Sequence, residues 1–133
     1  MKEIIFNPTT AGSPVVSIAE HAISMNLKAV EMLGKPSHVM VKIWPEEKAV
    51  VFIPADPEIP QAIKFASRLR DNMIRIANRT LIRFIGEHVD GFEPAESAIR
   101  FKITKTDLET GPALIVHLDE PLTKIEEDEE EEF

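Results

Sequence analysis

The chain has 133 residues, 44% of them hydrophobic, no cysteine and a formal net charge of −8, which allows one sizeable core and excludes a disulfide framework or a thiolate metal site. The charge is uneven, because seven of the 23 acids fall in Glu126 to Glu132 and leave 16 acids against 15 bases elsewhere. No apolar run is long enough to cross a bilayer and no basic-then-apolar leader opens the sequence, so a soluble, cytoplasmic chain with no membrane contact is expected.

Met1 to Pro14 holds a short apolar run, Ile4-Ile5-Phe6, and then a Pro/Thr/Gly/Ser stretch that reads as an arm or loop. The triplet suits an edge strand, either within the chain or laid on a neighbouring copy. Val15 to Ile18 and Ala22 to Met25 read as two short strands around a tight, polar turn at Glu20-His21. Asn26 is suited to cap a helix that Gly34 would close in a left-handed conformation, with Ala29, Val30 and Leu33 on its buried face. Val39, Val41 and Ile43 then alternate along a strand, Trp44 to Lys48 turns the chain, and Ala49 to Ile53 returns it.

Pro54 to Pro60, with three prolines in seven residues, reads as a linker. After it the same design returns. Ala62 to Leu69 is read as strand, Asp71-Asn72 as a tight turn, and Asn78 and Gly86 as the caps of a second helix burying Leu81, Ile82 and Ile85. A loop from Glu87 to Ser97 leads to a hairpin of Ala98 to Ile103 and Ala113 to Leu118, with a long tip from Thr104 to Gly111. Setting Asn26 on Asn78 also sets Gly34 on Gly86, so the chain reads as a duplication of strand, helix, strand, strand. One domain over 1–125 is expected, with repeats at 15–53 and 62–118, followed by a disordered acidic tail at 126–133.

Nothing in the sequence supports catalysis. There is no Gly-rich phosphate loop and no Gly-x-Ser-x-Gly nucleophile, and His21, His38, His88 and His117 are scattered singly, so neither a metal nor a cofactor is expected. The bases are better organised, since all six arginines lie in the second half. Arg79 and Arg83 are spaced i, i+4 on the outer side of the second helix, Arg75 points out of the strand before it, and Arg68 and Arg70 share one side of the preceding segment. Guanidinium groups gathered in this way suit several phosphates. Phe84 and Phe101 fit either the core or a stacking platform.

A strand entering a short helix that ends in Leu33-Gly34 or Ile85-Gly86, followed by a hydrophobic hairpin, resembles the AbrB-like swapped-hairpin group, including its two-copy MraZ-like members. That resemblance implies a mainly β pseudo-twofold barrel with two short helices, homodimers, and duplex-DNA binding of the transcriptional-regulator type. Of the arginines only Arg83 falls at a position that family tends to make basic, with Arg75 and Arg79 close by, while the family's Gly-Arg turn is here His21-Ala22. The run Glu126 to Phe133 is similar to the acidic, Phe-terminated tails of single-stranded-DNA-binding proteins, which implies competition with nucleic acid or docking of a basic protein partner. The reading that needs no nucleic acid is a structural or protein-interaction module, of phage or mobile-element type, whose tail recruits that partner.

Overall fold

Alternating apolar residues divide the strands between two sheet faces, and the fold follows from which face each set covers. The computed structural model describes residues 14–109 and 111–122, so the N-terminal arm and the acidic tail lie outside the described residues. The first half contains β1 (Val16–Ile18), β2 (Ile23–Asn26), α1 (Leu27–Met32), β3 (His38–Trp44) and β4 (Ala49–Pro54). Past the proline-rich stretch come β5 (Ile63–Lys64), a 3-10 turn at Ala66–Arg68, β6 (Leu69–Arg70), β7 (Met73–Ile76), α2 (Arg79–His88), β8 (Ile99–Leu108) and β9 (Gly111–Leu122). The expected mainly β chain with two helices is what forms. No helix among the described residues is long and apolar enough to cross a membrane.

The nine strands make one curled sheet, a half-barrel, in the order β5-β3-β4-β9-β8-β1-β2-β7-β6. The β8–β9 hairpin is its centre and joins β4 on one side to β1 on the other. The two edges, β5 and β6, are separated by only Phe65 and the 3-10 turn. Five residue steps reach at most about 18 Å, so the sheet must curl for the chain to link its edges. Phe65 is fully buried in the core there, and its N–H bonds the Ser37 carbonyl. The single strand expected over Ala62 to Leu69 is therefore split at Phe65, one piece on each edge.

The main core fills the concave side, with Val16, Ile18, Ile23, Met25, Val50, Phe52, Ile74, Ile76, Leu114 and Val116 pointing inward beneath both helices. A smaller cluster of Ala49, Val51, Ile53, Ala113 and Ile115 lies on the opposite side of β4 and β9, flanked by Met40, Trp44 and Leu108. Burial on both faces explains why Ala49 to Ile53 is apolar without alternation.

Local chemistry sets the turns. Asn26 Oδ1 accepts the N–H of Ala29 and that of Val15, and Asn78 Oδ1 accepts that of Leu81, so both asparagines are N-caps. Gly34 (φ 79°) ends α1 as expected, the Gly34 and Lys35 N–H groups bonding the Glu31 and Val30 carbonyls. Gly86 does not end α2. That helix runs to His88, because the Val89 N–H bonds Ile85 and both side chains enter the core. Asp71 and Asn72, both at positive φ, make the two-residue turn between β6 and β7. The long tip expected from Thr104 to Gly111 is instead paired strand as far as Leu108↔Gly111, since the outer Thr and Lys side chains let the ladder extend.

Candidate nucleic-acid interface

Two surfaces carry the arginines. The first lies on the side of the sheet away from the main core. Because Val16, Ile18, Ile23, Met25, Ile74 and Ile76 point inward, the residues between them point outward. Register then sets Arg100, Ser17, Ser24 and Arg75 in a row across β8, β1, β2 and β7. With neighbouring strands about 4.8 Å apart, the two arginine Cα atoms are separated by about 14 Å, with two serine hydroxyls between them. Lys102, next along β8, pairs with Glu120 at 3.4 Å.

The second surface is a cleft of about 600 Å³ between α2 and the β1–β2 turn, lined by Glu20, His21, Arg79, Ile82, Arg83, Gly86, Glu87 and Pro94. β2 pairs with β7 so that Ile23 meets Ile76, which brings the Glu20-His21 turn beside the start of α2. The Glu20 N–H bonds the Ala95 carbonyl at 2.9 Å and ties the turn to the loop after α2. His21 Nε2 donates to Glu20 Oε1 at 2.9 Å, while its Nδ1 is buried and meets no partner among the described residues. Arg79 and Arg83 follow on one flank of the helix, and Glu87 continues that line one turn later. The absence of a Cβ at Gly86 keeps the wall low, and the nearest atom such a Cβ would meet is the Phe92 carbonyl oxygen at 3.8 Å.

The expected set is thus divided. Arg75, Arg79 and Arg83 are exposed on β7 and α2. Arg68 and Arg70 fold onto their own connection: Arg68 Nε donates to the Lys64 carbonyl at 2.7 Å, and Arg70 Nη1 donates to the Ser67 and Leu69 carbonyls at 3.0 and 2.7 Å. These bonds shape the segment that links the sheet edges.

The aromatics also separate. Phe101 is buried against Phe92, with ring centroids 6.2 Å apart. Phe84 is 43% exposed on α2, and its ring lies 4.3 Å from that of His88 at a 46° tilt. His88 Nδ1 donates to the Phe84 carbonyl at 2.9 Å, which holds the imidazole in place.

Sequence reasoning does not connect Glu20 and His21 with Arg79, nor Arg100 with Arg75. The only signal is strand register, which no local pattern encodes. Three possible metal-binding groups, on His117, Asp119 and Glu120, lie within 4.8 Å of one another on β9. There His117 Nε2 bonds Thr104 Oγ1 at 2.9 Å and Glu120 is already paired with Lys102. No protein-family model, curated protein or solved structure matches the chain.

Proposed function

We propose that the chain is a non-catalytic nucleic-acid-binding protein of the AbrB-like kind, built from two copies of one unit, in which Arg75, Arg79, Arg83 and Arg100 contact phosphate and the acidic tail competes for the same surface. Supporting the two-unit part, β2 pairs with β7 and β4 with β9, like with like, and both helices open on the same asparagine cap. The phosphate part rests on one observation. Four exposed arginines lie on two surfaces, Arg75 and Arg100 at the ends of the serine row and Arg79 and Arg83 in the α2 cleft, each pair suited to phosphate.

Guanidinium groups bind phosphate in a fork, and each neutralised phosphate releases a counterion, so affinity falls steeply with salt. The test is a salt series of binding to labelled DNA by the full chain, by the Arg79→Ala/Arg83→Ala variant, and by a version ending at Ile125. The double variant should weaken binding and flatten the slope of log affinity against log salt by roughly 1.4 to 1.8. The truncated version should bind more tightly. An unchanged slope in the double variant would remove both arginines from the interface.

The second reading, a protein-interaction module, is favoured by Glu20 and Glu87, two carboxylates in the cleft that suit a basic side chain of a partner. Absence of DNA binding at low salt would select it. The homodimer of the AbrB-like reading is checked by the mass of the protein in solution.

A further inference from the structure

We infer that α2 presents a base-stacking platform, made by Phe84 and His88, so that the nucleic acid bound beside Arg79 and Arg83 is single-stranded. This inference rests on the phosphate contacts of the reading above and departs from the duplex that the AbrB-like resemblance implies. Each residue advances about 100° around an α-helix. With Ile82 and Ile85 turned into the core, Arg79 and Arg83 take one flank of the solvent side and Phe84 and His88 take the other. One helix therefore offers a row for phosphate and a row of flat rings, parallel and about a quarter turn apart.

An exposed phenylalanine alone would mean little, since single apolar residues are common on surfaces. Phe84 is held, however. The His88 ring lies 4.3 Å away, and the His88 Nδ1 bond to the Phe84 carbonyl fixes that ring in turn. An ordered aromatic face next to a guanidinium is what an unpaired base stacks on, and stacking of this kind tolerates any sequence. Bases in a duplex are already stacked on each other and cannot use it. The outward row on the sheet contains serines and arginines and no ring, which suits backbone contact alone.

The experiment compares wild-type chain, Phe84→Ala, Phe84→Trp and Arg79→Ala/Arg83→Ala for binding to three labelled probes: oligothymidylate, an abasic strand of equal length and a duplex. Because Phe84 lies outside the core, circular dichroism of all variants should superimpose. The inference expects Phe84→Ala to lose roughly ten-fold on oligothymidylate, Phe84→Trp to retain or improve binding, and neither to change on the abasic strand, whereas the arginine variant loses on both. Equal loss of Phe84→Ala on the abasic strand, no loss on oligothymidylate, or preference for the duplex would overturn the platform while leaving the phosphate reading intact. Failure of the wild-type chain to bind any probe would overturn both.

Discussion

The two helices begin alike and end differently. α1 and α2 each start on an asparagine whose side chain accepts the N–H three residues on, and each reaches a glycine eight residues after that asparagine. In α1 that glycine takes a positive φ and stops the helix after six residues, leaving a short prop with Ala29 and Val30 buried. In α2 the equivalent glycine stays helical, and the helix continues to His88 and carries Arg79, Arg83, Phe84, Glu87 and His88. A shared cap sets where each helix begins. The residues beyond the glycine decide how far each helix runs.

The largest expected effect concerns the caps. Asn26→Ala removes the acceptor for two N–H groups, including the link to Val15 on the way into β1, and should destabilise the protein by about 2 kcal/mol. Asn78→Ala removes an acceptor bonded to Leu81 and should cost about 1 kcal/mol. Urea unfolding of both variants checks the difference, and equal losses would mean that the Val15 bond adds nothing.

The glycines sharpen the contrast. Gly34→Ala forces a side chain into the left-handed region and should destabilise by about 1 kcal/mol. Gly86→Ala should instead stabilise by up to about 1 kcal/mol, because the position is helical and an added methyl meets nothing nearer than the Phe92 oxygen. Opposite signs in thermal melts are the expected result, and destabilisation by both would show that Gly86 is held for a close contact. The smallest effect is on the display surface, where Glu87→Gln removes a negative charge from the cleft and should tighten binding to oligothymidylate about two-fold at low salt. Weaker binding would assign Glu87 a contact of its own.

Much of this fold is legible as local chemistry. The caps at Asn26 and Asn78, the left-handed close at Gly34 and the turns at Glu20-His21 and Asp71-Asn72 are all readable, because short-range hydrogen bonds and φ preferences decide them. Gly86 reads as a helix end and is not one, because a buried pair, Ile85 and Val89, outweighs the propensity of one glycine to end a helix. The break at Phe65 is invisible in the sequence because it depends on the curl that brings two sheet edges together. In the candidate site, Arg75, Arg79 and Arg83 are legible from periodicity. The fold-back of Arg68 and Arg70 onto nearby carbonyls follows the break at Phe65, and the neighbouring of Arg100 with the serines and the entry of His21 into the α2 cleft depend on pairings between distant segments.

The hairpin at the centre of the sheet has a consequence for synthesis. Residues 99–122 are translated late, yet they cover one side of β4 and one side of β1. At about 5 to 20 residues per second, a nascent chain that has released β4 must wait several seconds for β9. During that interval two strand borders lie open and invite pairing with other polypeptides, a hazard that completed proteins avoid by covering their edges. Expression of this chain should therefore reward chaperone capture or slower initiation more than it rewards any change that raises the stability of the finished molecule.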